Sequence, residues 1–202
     1  MADQTDQNPD PDPDLKFELK PDDILIAEFE YIAASAFQAN EDRARVASFY
    51  FVSVGSLVAA ILGTQFANGL SPWVYRAFSL LFAVLTILGV LTVIQLARLR
   101  AAWYSSAEAM NAIKDFYIGQ YPKLKKPIIW RSLPAKERWY SIANLLRIQV
   151  SLLGGMTSGA MAYAFLRSFS DEIFWWGWCL AAILPIGLYF LQQCWYFRLL
   201  KK

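Results

Sequence analysis

Few side chains in this sequence could do chemistry. No histidine occurs among the 202 residues, which removes the side chain most used as general base, triad partner and metal ligand. The two cysteines, Cys179 and Cys194, are fifteen residues apart in one apolar run. On a helix that is about 22 Å, too far for a disulfide, so both are expected to be buried small apolar residues. Without histidine they make no zinc site. No G-x-x-x-x-G-K-[ST] or G-x-G-x-x-G loop is present to cradle phosphates. Glu28 with Glu30, and Glu41 with Asp42, come closest to paired carboxylates, and their helical setting marks them as surface charge. The expectation is a protein that is not an enzyme and needs no cofactor and no metal.

The remaining polar groups of interest are uncharged and lie inside apolar runs: Gln65, Ser79, Thr86, Thr92, Gln95, Gln149, Ser151, Thr157, Ser158, Gln192 and Gln193. A proton relay or ion-coupled transporter generally uses an ionisable group within the membrane. A passive pore needs only hydroxyls and amides along its wall. Ser151, Gly155 and Gly159 recur every four residues and form a small-residue ridge that lets another helix come close. Packing within the chain and a homo-oligomer seam fit it equally. Pro185 is expected to kink the last run, as a hinge or as a packing bend. Arg76 suits either an anion at an outer mouth or snorkelling to headgroups. Lys123, Lys125 and Lys126 form a basic turn suited to lipid or partner contact.

The elements that carry these residues follow from hydropathy. The chain is 56% hydrophobic and only 18% charged, too apolar for an ordinary soluble domain. The apolar residues gather in four blocks, 48–67, 77–97, 148–166 and 173–191, free of Lys, Asp, Glu and Arg. Each is close to the ~20 residues that cross a bilayer as a helix. The acidic, proline-rich first 23 residues are unlike a secretory signal, so the first span is expected to direct insertion. Of the 19 lysines and arginines, all but Arg76 and Arg167 lie outside the two short turns within the hairpins. That bias places both termini and the central interval in the cytoplasm.

The reading in order is an acidic tail at 1–20, an amphipathic helix at 21–47, a first transmembrane hairpin at 48–97, a basic interval at 98–147, a second hairpin at 148–197 and a tail at 198–202. Pro9 to Asp14 alternate proline and aspartate and support no core. A helix should start at Pro21 or Asp22. Its apolar stripe is Leu25, Phe29, Ile32, Ala36 and Ala39, opposite Glu28, Ser35, Gln38, Asp42 and Arg45. With no breaker before the first span, one helix can run from cytoplasm into membrane, its stripe needing cover. Asn68-Gly69 should stop the first span and Ser71-Pro72 start the second, with Trp73 and Tyr75 at the outer interface. Leu96, Leu99, Trp103, Met110, Ile113 and Tyr117 carry the second helix onward until Gly119 and Pro122 end it. A further helix opens at Leu133-Pro134 and feeds the third span. Ser170 is a candidate cap for the fourth, with Trp175, Trp176 and Trp178 anchoring its outer end and Trp195 and Tyr196 its inner end.

The interval 98–147 holds ten basic residues against three acidic ones, while the first 42 residues hold twelve acidic ones against Lys16 and Lys20. Docking of one on the other and contact with anionic lipid fit this contrast equally. Nucleic acid is not an expected partner, since no reading module is present.

The hairpin continuing into a polar helix, with Arg98, Arg100, Trp103 and Tyr104 after the span, resembles the SLATT-type membrane effectors of bacteria. The resemblance covers about a third of the chain. It implies a pore-forming hairpin coupled to a nucleotide-activated partner. That family typically has two spans where four are expected here, and the chain as a whole also resembles uncharacterised bacterial four-span proteins. The expected protein is thus an all-α, integral membrane four-helix protein of the cell membrane, with cytoplasmic helical extensions. Its expected role is an oligomeric effector or pore-like component, or else a scaffold or accessory subunit that binds a cytoplasmic protein.

Overall fold

A computed structural model describes residues 20–63, 71–126, 128, 141–170 and 174–200. All regular structure among them is helical: α1 (Pro21–Gly63), α2 (Pro72–Gln120), α3 (Ile142–Arg167) and α4 (Trp175–Leu200), with a short 3-10 helix at Pro122–Lys125.

Helix starts and stops have local causes. Proline opens α1 and α2 at the position where its missing N–H costs nothing, and Asp22 and Asp23 sit at the positive end of α1. α2 gives way at Tyr121, and Pro122 begins the 3-10 helix. Ser141 caps α3: its backbone is extended, at φ −65° and ψ 144°, and its side chain accepts the Asn144 N–H at 3.3 Å. That geometry corrects the expectation of a helix from 134 running into the third span, because the helix begins afresh at Ile142. The α4 helix begins at Trp175, and the Ser170 N–H donates to Leu166 O in the turn that closes α3. Ser170 therefore belongs to the end of α3 and does not cap α4. The Asn68-Gly69 stop and the opening at Leu133-Pro134 lie outside the described residues.

The helices pack antiparallel in chain order. α2 and α3 form the central pair, α1 lies mainly on α2, and α4 lies on α3 and partly on α2. The shared core comprises Ala47, Tyr50, Val54, Leu85, Val93, Leu96, Ala97, Val150 and Tyr196. α1 and α2 are 43 and 49 residues long, about 65 and 74 Å at 1.5 Å per residue. Both far exceed a ~30 Å hydrocarbon layer, so each overhangs its apolar run. The overhangs pack on each other. Leu25, Phe29 and Ile32 are half-buried, and Ala36 and Ala39 are buried. Lys114 lies 5.8 Å from the Phe29 ring centre, and the Tyr117 hydroxyl meets Asp22 Oδ1 at 3.5 Å. The stripe that needed cover thus finds it within the chain.

α1, α2 and α4 are each long and apolar enough to cross a membrane; α3 is not, which corrects the expectation of four such helices. The physical reason is composition: α3 is 26 residues long, but Gly, Ser and Thr dilute its middle. Two further expectations are corrected. Cys179 and Cys194 are exposed, not buried, because the outer side of α4 carries no protein neighbour in the bundle. Tyr196 is only 1% exposed and packs in the core, so it is not an interfacial anchor. Trp175, Trp176 and Trp178 are exposed.

Ala47 and Ala97 have no exposed surface, and the helices meet over them. Overpacking such a site costs about 1–3 kcal/mol. Ala47→Leu should lower the thermal midpoint of the detergent-solubilised protein, whereas Phe49→Leu, at an exposed position, should leave it nearly unchanged.

Candidate functional site

The polar centre of the bundle is built around two glycines, Gly89 and Gly154. A Cβ on Gly89 of α2 would come within 2.7 Å of Tyr50 Oη and 3.3 Å of Gly154 Cα. A Cβ on Gly154 of α3 would come within 3.0 Å of Gln192 Nε2. Two missing side chains thus let the backbones of α2 and α3 approach each other. They also admit a phenol from α1 and an amide from α4 to the same place.

Hydroxyls hold the seam around this point. Ser79 Oγ donates to Met161 O at 3.3 Å, from α2 to α3. Thr86 Oγ1 and Thr157 Oγ1 lie 3.1 Å apart across the same seam. Each also contacts its own helix, Thr86 at Phe82 O (2.8 Å) and Thr157 at Gly154 O (3.0 Å). Two hydroxyl protons serve three contacts, so one acceptor goes unfilled at any moment. The Tyr50 hydroxyl comes near Thr157 without a hydrogen bond of proper geometry. The Ser151 hydroxyl and both polar atoms of the Gln192 amide are also buried without partners. Such groups ordinarily find one, since leaving them unpaired costs about 1–3 kcal/mol each.

The small-residue ridge and the proline meet. A Cβ on Gly155 would lie 2.9 Å from Pro185 O, and one on Gly159 would lie 2.7 Å from Pro185 Cγ and 3.0 Å from Ala181 O. Pro185 cannot donate to the carbonyl four residues earlier, and that carbonyl is Ala181. Gly159 therefore lies against the stretch of α4 where the helical ladder lacks a bond, and α4 continues unbroken through it. Ser151, one turn before Gly155, is fully buried. Within this chain, then, Gly155 and Gly159 are occupied by α4. Lys123, Lys125 and Lys126 are remote from this centre and exposed on and just after the 3-10 helix.

The start of α2 and the end of α3 each carry an arginine against aromatic rings. Arg76 Cζ lies 4.8 Å from the Trp73 ring centre and 5.6 Å from that of Phe169. Arg167 Cζ lies 5.8 Å from that of Tyr75. These cation–π contacts tie the turn after α3 to the start of α2.

Sequence reading singled out Thr86, Thr157 and Gln192 as polar groups in apolar runs but passed over Tyr50, Gly89 and the special position of Gly154. A lone glycine in an apolar run is the signal for Gly89, because glycine is poor in helix interiors unless something must come close. Tyr50 carries no such mark, since tyrosine near the start of a span reads as an interface residue.

Gly159→Ala should force α3 and α4 apart and destabilise the protein by about 1–3 kcal/mol in thermal or denaturant unfolding in micelles. Gly187→Ala, where nothing lies within 4 Å of the added Cβ, should be neutral or stabilising by about 0.5–1 kcal/mol. Equal losses at both positions would contradict the close approach at Pro185.

No family model matches this chain, and no curated protein or solved structure does so either.

Proposed function

We propose that this is a multi-pass protein of the cell membrane that works without catalysis, as a scaffold or accessory subunit docking a cytoplasmic protein on a helical stalk. In this reading all four helices cross the bilayer, both termini and the basic interval face the cytoplasm, and the stalk is the paired overhang of α1 and α2.

The observation that carries the reading is the apolar surface left on the overhang. After Leu25, Phe29, Ile32, Ala36 and Ala39 turn toward α2, Ile24, Ile26, Tyr31 and Phe37 remain exposed on α1, as do Phe116 on α2 and Tyr121 just after it. Ile24 with Tyr31, seven residues apart, and Ile26 with Phe37, eleven apart, lie along the two edges of the covered stripe. Aromatic and aliphatic side chains clustered outside the apolar runs mark an interaction surface.

The inclusion of α3 as a fourth span rests on which way its residues face. Ser151, Gly154, Gly155, Thr157 and Ser158 are buried, while Leu152, Met156 and Phe165 are exposed. The groups that lower its apolarity meet other helices; the groups left to meet lipid are apolar. The orientation rests on the basic residues, which crowd the two ends and the central interval.

A second reading, an oligomeric effector that permeates the membrane when triggered, is favoured by the unpartnered polar groups at the bundle centre. Those groups would line a water path if α4 moved away from α3. Because α4 already fills the ridge, copies would have to meet on another face. One such face is the apolar groove of about 690 Å³ along Trp176, Leu180, Ile183, Leu184, Gly187 and Leu191.

A photocrosslinker at Phe37 should yield an adduct with a different protein, and Phe37→Glu should abolish it without changing stability. A ladder at multiples of the chain mass, together with dye leakage on expression, supports the second reading instead. Reporters at Lys125 and Ser71 should report inside and outside, respectively. Lys125 facing outward would overturn both.

A further inference from the structure

A cleft of about 360 Å³ opens between α1 and α2. Tyr50 and Thr92, both buried, lie at its base, and Phe49 and Leu91, both exposed, form its walls. Arg45 and Gln95 belong to the same lining, and both are exposed. The two helices run antiparallel, and the approach of Tyr50 to Gly89 sets their register. Arg45 and Gln95 then stand level, five and six residues from that contact. The cleft has a polar end at this pair and an apolar one, between Phe49 and Leu91, about one helical turn away.

That layout follows the boundary of a bilayer. Arg45 lies three residues before the apolar run 48–67, and Gln95 lies two residues before the end of the run 77–97. Arg98, exposed and three residues after Gln95, shares its face of α2. Three donor side chains thus stand at headgroup depth at the mouth of an apolar cleft. Arg45 Nη1 meets Asp42 Oδ1 at 3.5 Å, but the Arg45 side chain is 78% exposed, and a pair so placed holds loosely. A guanidinium carries five N–H donors, so one loose partner leaves most of them for a ligand. Gln95 lies on exposed surface inside an apolar run. Whatever covers it must offer hydrogen-bonding groups, which a hydrocarbon chain alone does not.

We propose that this cleft binds one anionic phospholipid, with its phosphate on Arg45 and the upper part of an acyl chain between Phe49 and Leu91. Phosphate oxygens accept strong, charge-assisted hydrogen bonds from a guanidinium. The ester oxygens of the lipid, one step deeper, suit the Gln95 amide, and Arg98 adds to the attraction for a negative headgroup. The site rests on the reading of α1 and α2 as membrane spans; the stalk and its partner have no part in it.

The test uses the full chain in neutral detergent, with lipid retention read by native mass spectrometry. One phosphatidylglycerol should stay bound at lower lipid concentration than phosphatidylcholine does. Arg45→Gln should weaken its retention about tenfold, as for one lost charge-assisted hydrogen bond. Leu91→Trp, which fills the cleft from an exposed position, should weaken retention of both lipids. Arg198→Gln, at an exposed arginine near the end of α4, should change neither. Should Leu91→Trp fail to fold, Phe49→Ala removes the facing wall and should act in the same direction. The two lipids held alike, or Arg45→Gln holding phosphatidylglycerol as the parent does, overturns the proposal. So does a photocrosslinker at Phe49 that joins two copies of the chain in place of a lipid. Those results leave the membrane reading standing, whereas a chain that dissolves without detergent overturns both.

Discussion

Backbone approach at Gly89 and Gly154 is the constraint on which the bundle depends. Where hydrocarbon surrounds the helices, burying apolar side chains against one another offers little advantage over leaving them in lipid, so close packing and hydrogen bonds between helices must supply cohesion. The two glycines supply the first. Ser79, Thr86 and Thr157 supply the second within the same seam. α1 and α4 then dock by sending Tyr50 and Gln192 into the space the glycines leave. A methyl group at either position would separate the central pair and expel the polar side chain it admits.

The same logic explains the contrast between the two hairpins. α2 has its small residues spaced out and remains strongly apolar overall. α3 concentrates them, because it meets α2 on one side and α4 on the other, and both contacts are close. Its polarity is the consequence of having two neighbours at short range. α4, with a neighbour on one side alone, leaves tryptophans, leucines and isoleucines exposed along the other. Pro185 sits where this one-sided helix is pressed hardest, against Gly155 and Gly159, so the missing hydrogen bond in α4 is shielded by α3.

At the end of the bundle where α1 starts and α2 stops, cohesion changes character. There α1 and α2 continue beyond the apolar runs as a pair, and their packing is by alanine, half-buried aromatic and aliphatic side chains, and cation–π contacts. Between this overhang and the polar centre, Arg147 lies buried over the rings of Tyr196 and Phe197. Burial at that level holds the charge of Arg147 at a fixed place, whereas Lys123, Lys125 and Lys126 are exposed.

Much of this was legible in the residues themselves. The length of the apolar runs, the prolines at Pro21, Pro72 and Pro122, and the stripe from Leu25 to Ala39 depend on local chemistry and spacing, so they specify helices and the covered face of α1 directly. Neighbour choice is a different kind of quantity. The ridge of Ser151, Gly155 and Gly159 says that a helix comes close but not which one, and only the fold assigns it to α4. The burial of Tyr196 beneath Arg147, the exposure of Cys179 and Cys194, and the meeting of Tyr50 with Gln192 were decided in tertiary structure too. Each depends on contacts between residues far apart in the chain, and a one-dimensional pattern carries the period of a helix face without the identity of what faces it.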